Sequence, residues 1–368
     1  MFFKIPLSKP YITKTDLRQI KKCFDTTWIS SKSPYVNKFE QKFAKIISKT
    51  KYSVAVNSGT SALFLALKTL NIGQQDEVII PSFTMIATIN AVVWAGAKPI
   101  LVDSQSKSDW NINIDQIEKK ITKKTKAIIP VHVYGYVCQM NKILRIARKY
   151  GLYVIEDAAE AMGSTYKDKF AGSFGDISCF SLYSNKIITT GNGGILATNS
   201  KKIYEKAKKL SFFDFNPKRH FLHYNIGYNL VITGLQASLG ISQLDKFHQL
   251  LENRRKIFKL YFKYLHKNKK ISFIFPEKGI KPNYWFPAII FKLPKDKNKV
   301  KKILEKEGIE TRNFFIPIHR QPIYKDMFKN EDFPNADFFY KRGLLLPSYY
   351  QLTEKDILFI TKIINNNL

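Results

Sequence analysis

The chain has 368 residues, of which 45% are hydrophobic and 14% aromatic, enough to bury a large core and to exclude a chain that is disordered throughout. Its 60 basic and 29 acidic residues give a net charge of +31, but no basic arm, zinc-finger spacing or aromatic RNA-binding motif accompanies the scattered lysines. We interpret the charge as a compositional bias and expect no nucleic-acid partner, with nucleic-acid binding as the alternative. A basic surface also attracts anionic substrates.

The cysteines and the first residues indicate where the protein works. Cys23, Cys138 and Cys179 are far apart and form no CxxC pair, so we expect neither a disulfide framework nor a metal site. The N-terminal stretch MFFKIPLSKPYITKTD is apolar only briefly, which predicts neither a signal peptide nor a membrane span. We therefore expect a cytoplasmic protein without a membrane partner.

The first two thirds of the chain predict an α/β domain. Two helices are expected in TKTDLRQIKKCF and YVNKFEQKFAKII. Between about residues 50 and 200, apolar runs rich in β-branched residues follow one another as SVAVNS, EVIIPS, KPILVD, AIIPVHVYG, YVIEDAA, DISCFSLY and GGILATN. Helix-like segments separate several of them, namely TSALFLALKTL, MIATINAVVWAG, IDQIEKKI and MNKILRIARKYG. Apolar strands that alternate with amphipathic helices predict a large, mostly parallel sheet covered on both faces.

The last third predicts a smaller α/β domain. A long helical pattern over residues 236–265 is followed by a strand-like YWFPAIIFKL and a basic helix near residues 298–307. A strand-like IETRNFFIPIH and a last helix, EKDILFITKIINN, complete the chain. We predict that residues 1–249 form an N-terminal segment and the large domain, and that residues 250–368 form the small one.

The segment NSGTSALFLAL places a turn and a helix start directly after a predicted strand. The free amides of a helix start can bind a phosphate, here with the small residues Gly59, Thr60 and Ser61. The alternative is a simple N-cap, which this segment favours when it is considered alone.

Asp157, in IEDAAEAMGS, ends another predicted strand. A carboxylate at the carboxyl end of a parallel strand often lies in a binding cleft. It can hold the proton on a pyridine-type nitrogen and so make the ring a better electron sink. The alternative is an aspartate that caps the next segment.

The stretch SLYSNKIITTGNGG places Lys186 in an apolar run before a glycine-rich turn that begins at Gly191. A lysine in such a setting can lose its proton and attack a carbonyl, although a strand end that runs into a turn is the alternative. Ser181 can donate its hydroxyl to a phosphate. A phosphate cradle, Asp157 and Lys186, in this chain order on α/β structure, fit pyridoxal 5′-phosphate (PLP), and no Walker loop or early GxGxxG is present.

These motifs resemble those of the DegT/DnrJ/EryC1/StrS sugar aminotransferases, PLP enzymes with the type I (aspartate aminotransferase-like) fold. The resemblance covers nearly the whole chain, through TTWISSKSPYVNKFE, NSGTSAL, PSFT, VHVYG, EDAAEAMGSTYKDKFAGSFGDISCFS, NKIITTGNGGILATN, GYN and IETRNFFIPIH. The blocks WISSK, GDISCFS, NKIITTG and ETRNFFIPIH most resemble GDP-perosamine synthases, which use glutamate to aminate C4 of GDP-4-keto-6-deoxymannose.

The resemblance implies roles for residues around the cofactor. Lys186 would bind the PLP aldehyde and move the proton, and Asp157 would pair with the pyridine nitrogen. Glu160 would lie near the 3-hydroxyl of the ring. The phosphate would be bound by Gly59, Thr60, Ser61 and Ser181 and, across the subunit boundary of a homodimer, by Asn229.

For the sugar, the resemblance implies contacts from Trp28, Ser30 and His319, although Trp28 and His319 have packing in the core or under a loop as the alternative. Two departures from the family stand out. Met85 replaces an aromatic residue that often stacks on the cofactor, and Leu230-Val231 replace a usual Tyr-Arg.

The predicted reaction is amino transfer from L-glutamate to C4 of a nucleotide-linked 4-keto-6-deoxy sugar. Lysine at position 186 favours amination, because the related sugar 3-dehydratases carry a histidine there. A viosamine synthase-like enzyme that acts on UDP- or dTDP-4-keto-6-deoxyglucose is the alternative substrate assignment. A catalytically idle PLP-fold scaffold is the alternative outside catalysis.

Overall fold

The computed structural model describes residues 3–215, 219 and 221–368. Up to the last strand of the large sheet, the elements are α1 (Lys14–Asp25), α2 (Pro34–Phe43), β1 (Tyr52–Val56), α3 (Gly59–Thr69), β2 (Glu77–Pro81), α4 (Ala87–Trp94), β3 (Lys98–Val102), β4 (Ser104–Ser106), β5 (Asp109–Ile112), α5 (Ile114–Lys120), β6 (Thr125–Ile128), α6 (Met140–Tyr150), β7 (Tyr153–Asp157), β8 (Thr165–Tyr166), β9 (Lys169–Phe170), β10 (Ile177–Ser181) and β11 (Gly194–Thr198). A π-helical turn, Ala44–Ser48, extends α2, and a short 3-10 helix spans Val133–Gly135.

The remaining elements are α7 (Lys201–Ser211), α8 (Gly234–Asp245), α9 (Phe247–Leu265), β12 (Ile271–Ser272), β13 (Ile280–Lys281), β14 (Ala288–Phe291), α10 (Pro294–Lys306), β15 (Arg312–Asn313), α11 (Pro334–Arg342), β16 (Gly343–Leu345) and α12 (Glu354–Asn366). Short 3-10 helices span Ile318–Arg320 and Lys325–Phe328.

The large sheet has seven strands in the order β1-β11-β10-β7-β6-β2-β3. Strand β11 is antiparallel to both neighbours, whereas the pairings from β10 to β3 are parallel. Cys179 on β10 lies in register with Asp157 on β7, so the carboxyl ends of these two strands meet at one edge of the sheet. This is the mostly parallel, helix-covered sheet that the sequence predicts, and the α/β fold class is confirmed.

The sheet separates two hydrophobic cores. Val54 and Val56 of β1 pack into one cluster and Ala55 packs into the other, as expected for side chains that alternate across a strand. Helix α3 buries Ala62, Leu65 and Ala66 completely, which fixes its N-terminus at the same sheet edge as the end of β10.

The C-terminal part contains a four-stranded antiparallel sheet in the order β12-β14-β16-β15. Helices α9, α10 and α12 bury a third hydrophobic cluster against it. Ile5 forms a bridge with Ile309 and belongs to this cluster, so the N-terminal segment packs on the C-terminal part. The division at residues 249 and 250, which lies inside α9, remains our proposal.

Three details differ from the sequence predictions. The helical pattern over residues 236–265 is two helices, α8 and α9, which meet at Lys246. In the strand-like IETRNFFIPIH, Ile309 forms an isolated bridge, β15 has only two residues, and a 3-10 helix begins at Ile318. Pro317 cannot donate to a sheet, so the strand does not continue through it. Helices α7 and α11 and the short strands β4, β5, β8, β9, β12, β13 and β16 were not predicted. In sequence, the lysine-rich α7 resembles a solvated run of charges.

The described residues contain no helix that is both long and apolar enough to cross a membrane. All three cysteines are buried and carry free thiols. Within the same described residues, His, Cys, Asp and Glu form no cluster of three or more that could hold a metal ion.

Candidate active site

A cavity of about 480 Å³ lies at the edge where α3 begins and β7 and β10 end. Seven of the residues predicted from the sequence line it, namely Gly59, Thr60, Met85, Asp157, Glu160, Ser181 and Lys186. A second and larger cavity of about 750 Å³ lies beside α7 and contains none of the predicted site residues. The chemistry expected from the sequence therefore converges on the smaller cavity.

The start of α3 forms one wall of this cavity. Ser58 caps the helix by accepting a hydrogen bond from the Ser61 amide at 3.0 Å, and the Ser61 hydroxyl donates to Asn57 Oδ1 at 2.6 Å. The amides of Gly59 and Thr60, at the first positions of the helix, have no acceptor within the helix. They can bind an anion together with Ser181.

Gly59 is required at this wall because β10 approaches closely. A Cβ atom at position 59 would lie 3.0 Å from the Cβ of Ser181, which is too close for an ordinary side chain. The close contact keeps the first turn of α3 and Ser181 side by side. Ser61 does not line the cavity, because both its amide and its hydroxyl turn back to the cap.

Asp157, the last residue of β7, is 5% exposed and faces the cavity. Its Oδ2 accepts a hydrogen bond from the Thr88 hydroxyl at 2.9 Å, and its Oδ1 accepts one from the Ala159 amide at 3.2 Å. Burial raises the pKa of this carboxyl, and the positive charge of Lys186 partly opposes the shift. A cationic group placed against Asp157 would stabilise its ionised form.

Glu160 also lines the cavity, three residues after Asp157 in the chain. Its Oε2 accepts a hydrogen bond from the Tyr134 amide at 2.7 Å. Burial raises the pKa of Glu160 to about 7, because loss of water outweighs the positive charge of Lys186 and the Tyr134 hydrogen bond. The carboxyl is therefore held between its charged and neutral forms near neutral pH.

Lys186 lies in the turn after β10, where its amide donates a hydrogen bond to the Tyr183 carbonyl at 2.9 Å. Its Nζ is 3.9 Å from the centre of the Trp285 ring. Burial lowers the pKa of Lys186 and the positive charge of Arg312 lowers it further, while Glu160 and Asp157 raise it. The lysine is thus more easily deprotonated than a solvated lysine, as a nucleophile or a base requires. Gly191, with φ +81°, turns the chain beside it.

The outer part of the cavity, its rim, is more exposed than its floor, which Asp157, Glu160 and Lys186 form. Met85 is 47% exposed and Tyr183 is 51% exposed. Arg312 of β15 is exposed and lines the cavity, and no ion pair involving Arg312 is found among the described residues. A free guanidinium at this position can receive a carboxylate or a phosphate group.

Besides Ser61, four predicted residues do not line the cavity. Trp28 is 51% exposed, and Ser30 and Asn229 are also exposed. His319 shares a 2.8 Å hydrogen bond with Ser82 Oγ and lies 3.2 Å from Asp337 Oδ1. Its ring stacks on Phe333, so this single chain does not bring His319 to the cavity.

Three residues that line the cavity or hold its side chains in place were not predicted from the sequence. Thr88 orients Asp157, Trp285 contacts Lys186, and Arg312 supplies a cation at the rim. Arg312 is part of the ETR motif, which could have identified it. No short sequence pattern marks Trp285 as a site residue, because Lys186, which it contacts, lies about a hundred residues earlier in the chain.

The residues present fit PLP. The Gly59 wall leaves free amides for a phosphate, Asp157 offers a buried carboxylate that forms no ion pair with any described residue, and Lys186 provides an amine with a lowered pKa. With this sheet topology, the site defines a PLP enzyme of the type I fold.

Comparison with known proteins identifies the family. The model of the DegT/DnrJ/EryC1/StrS aminotransferase family matches residues 10–365. The chain is 39% identical over 361 residues to GDP-perosamine synthase of Escherichia coli O157:H7, with 98% of each chain covered. It is 38% identical over 360 residues to GDP-perosamine synthase of Caulobacter vibrioides, with 96% of this chain and 95% of that protein covered.

A solved structure agrees with these matches. The putative sugar aminotransferase Spr1654 of Streptococcus pneumoniae in its PMP form superposes with a TM-score of 0.92 at 26% identity, covering 99% of this chain and 97% of that chain. The same protein has also been solved in a PLP form. The chain belongs to the DegT/DnrJ/EryC1/StrS aminotransferase family and is a sugar aminotransferase whose cofactor is PLP.

Proposed function

We propose that this protein transfers an amino group from L-glutamate to C4 of a nucleotide-linked 4-keto-6-deoxy sugar, with GDP-4-keto-6-deoxymannose as the preferred acceptor. The observation that carries the proposal is the position of Lys186 in the cavity beside Asp157 and Glu160. The similarity to two GDP-perosamine synthases over almost the whole chain supports the choice of acceptor.

Lys186 is the group that moves the proton. When bound, PLP holds the amino group between the two half-reactions and accepts the electrons of the broken C–H bond. The neutral amine of Lys186 takes the proton from Cα of glutamate in the first half-reaction and returns a proton to C4 of the sugar in the second. Its lowered pKa keeps part of the lysine neutral for this purpose.

Asp157 and Glu160 set the charge around that step. Asp157 would accept a hydrogen bond from the protonated ring nitrogen and would stay ionised beside that cation, while Thr88 fixes its orientation. The Glu160 carboxyl has a pKa near neutral pH, so it can be ionised when Lys186 is charged and protonated when Lys186 is neutral. The two carboxyls therefore stabilise charge that develops during transfer.

Arg312 supports an anionic substrate. Glutamate carries carboxylates and a nucleotide sugar carries a diphosphate, and the exposed Arg312 guanidinium lies at the mouth where either would enter. The net charge of +31 favours the approach of both.

The acceptor is tested by initial rates with GDP-4-keto-6-deoxymannose, UDP-4-keto-6-deoxyglucose and dTDP-4-keto-6-deoxyglucose, each with glutamate. We expect the highest kcat/KM with the GDP sugar and parallel double-reciprocal lines, because the two substrates react in separate half-reactions. A higher kcat/KM with a UDP or dTDP sugar would replace the perosamine assignment by the viosamine one. Amination of none of them, with glutamate still converted to 2-oxoglutarate, would refute this acceptor class.

We also propose a homodimer in which Asn229 completes the phosphate site of the neighbouring subunit. Asn229 is exposed and outside its own cavity, and it follows a surface that exposes Tyr224 by 74% and Ile226 by 83%. Exposed apolar side chains in one stretch are typical of an interface.

Complementation between two inactive variants tests the dimer. In a mixed dimer of Lys186→Ala and Asn229→Asp chains, one site has both an intact lysine and an intact asparagine from its neighbour. We expect activity to return when the two variants are refolded together, and each variant refolded alone is the control. No recovery from a mixture that sedimentation shows to be dimeric would contradict the shared site.

A further inference from the structure

Trp285 contacts the end of the Lys186 side chain. The Lys186 Nζ lies 3.9 Å from the centre of the Trp285 ring, and the tryptophan is 4% exposed and lines the cavity. Trp285 lies three residues before β14, in the C-terminal part of the chain, whereas Lys186 follows β10 of the large sheet. The contact therefore joins the two parts of the fold at the reacting group.

The same tryptophan also holds the backbone of the lysine turn. Its Nε1–H donates a hydrogen bond to the carbonyl of Asn185 at 2.9 Å. The Lys186 amide donates to the Tyr183 carbonyl at 2.9 Å, which closes the turn from the other side. The Trp285 side chain thus contacts both the Lys186 amine and the peptide group that joins Asn185 to Lys186.

Trp285 is itself rigidly held. Its amide donates to Asn283 Oδ1 at 2.9 Å, and the buried Arg254 guanidinium donates to its carbonyl at 3.2 Å. The Asn283 amide group donates in turn to the Glu160 carbonyl at 2.8 Å. This short segment therefore fixes the backbones of both Glu160 and the lysine turn.

We propose that Trp285 is a positioning residue for Lys186: its ring face holds the amine whenever the lysine is not bonded to the cofactor, and its Nε1–H holds the turn. A long lysine side chain otherwise has many rotamers, and most of them would carry the amine away from the reacting carbon. The inference rests on the proposed role of Lys186 as the lysine that binds the cofactor.

The ring face has an electrostatic consequence. An aromatic face attracts an ammonium group more than a neutral amine, and tryptophan is the strongest of the aromatic side chains in this respect. The other charged groups that act on Lys186 are Glu160 and Asp157, which favour its charged form, and Arg312, which disfavours it. A change at Trp285 leaves these three groups in place, so its effect can be measured separately.

The test is the rate at which the cofactor-free protein captures added PLP, followed by absorbance across pH. Only the neutral lysine attacks the aldehyde, so the midpoint of the rate profile reports the titration of Lys186. We expect Trp285→Leu to move this midpoint down by about half a unit to one and a half units, because the attraction to the cation is lost. Trp285→Phe keeps a ring face, and its midpoint should stay closer to that of the wild type.

The Nε1–H contact gives a second, independent readout. Trp285→Phe removes this donor, and we expect the capture rate at the high-pH plateau to fall by about three- to tenfold. Trp94→Phe, which alters an exposed tryptophan of α4, is the matched control and should change neither quantity. If Trp285→Leu fails to fold, Trp285→Met fills more of the space and serves the same comparison.

The outcomes separate this inference from the proposed function. Wild-type protein that captures no PLP, or Lys186→Ala protein that captures it equally fast, would refute the role of Lys186. The wild type can capture PLP normally while the midpoint of the rate profile is unchanged in Trp285→Leu and the high-pH capture rate is unchanged in Trp285→Phe. That result would refute only the positioning role of Trp285.

Discussion

The floor and the rim of the cavity are built in different ways. On the floor, Asp157 has hydrogen bonds from Thr88 and Ala159, Glu160 has one from Tyr134, and Lys186 rests on Trp285, all within one chain. On the rim, Met85 and Tyr183 are about half exposed, and the exposed Arg312 has no ion pair with any described residue.

This difference separates the two tasks of the site. On the floor, Asp157 and Glu160 are buried and Lys186 is half-buried. Their hydrogen bonds and contacts fix their positions, as cofactor chemistry requires, because a preorganised site stabilises developing charge without reorganising. The rim keeps exposed apolar and cationic groups for molecules that come and go. We therefore expect changes on the floor to affect every substrate alike, and changes on the rim to affect the affinity for particular substrates.

Replacement of Lys186 should have the largest effect. Lys186→Ala removes the amine that we propose binds the cofactor and moves the proton, so we expect turnover to fall by at least about a thousandfold. Steady-state assays with glutamate and the preferred sugar measure this loss. Lys201→Ala, which alters an exposed lysine at the start of α7, is the control and should keep full activity. Residual turnover within tenfold of the wild type would contradict the account of the floor.

Replacement of Asp157 should have the next largest effect. Asp157→Asn keeps the shape but removes the negative charge that we propose pairs with the ring nitrogen, and we expect kcat to fall by about a hundred- to a thousandfold with every sugar. Asp168→Asn, at an exposed aspartate paired with Lys281, is the control. An effect confined to KM for one sugar would show that Asp157 acts on substrate binding instead.

Glu160 should produce a pH-dependent stability in the cofactor-free protein. Its carboxyl has a pKa of about 7 in the folded state against a usual value of 4.5, so the folded protein binds more protons than the unfolded chain between these values. The free energy of unfolding should therefore fall as pH rises from 4.5 to about 7, by on the order of 1 to 3 kcal/mol.

Glu160→Gln tests this linkage by denaturant unfolding at several pH values. The difference in unfolding free energy between wild type and variant should change across that pH window, whereas Glu205→Gln, at an exposed glutamate of α7, should give a constant difference. A pH-independent difference for Glu160→Gln would show that its carboxyl ionises normally.

His319 should show the smallest effect on activity. Its ring is hydrogen-bonded to Ser82 and packed on Phe333, and burial lowers its pKa, so it is neutral at pH 7. We expect His319→Ala to lower Tm by about 2 to 6 °C and to change the sugar KM by less than about threefold. A tenfold rise in KM at unchanged Tm would instead support the sugar contact implied by the family resemblance. His248→Ala, at an exposed histidine of α9, is the control.

The floor could be predicted from the sequence better than the rim. Asp157, Ser181 and Lys186 each end or follow a strand, and the carboxyl ends of parallel strands necessarily meet at one sheet edge. Gly59 and Thr60 begin the helix after β1, so they meet the same edge. Local patterns were enough to bring these residues together.

Contacts between distant elements could not be predicted in this way. Trp285 approaches Lys186 from the segment before β14, and His319 is fixed by Ser82 from the end of β2. Both depend on how the C-terminal part packs against the large sheet, which no short sequence pattern encodes. Helix α7 was missed because its lysines obscure the few buried positions, such as Ala207, on which it packs.

The most direct test of the account is the visible absorption of purified protein with PLP before and after addition of glutamate, for wild type and Lys186→Ala. We predict a yellow band in the wild type that fades with glutamate, because the amino group passes to the cofactor, and a band at the wavelength of free PLP in Lys186→Ala. A wild-type spectrum identical to that of Lys186→Ala, or a bound band that glutamate leaves unchanged, would contradict the assignment of Lys186 to amino transfer.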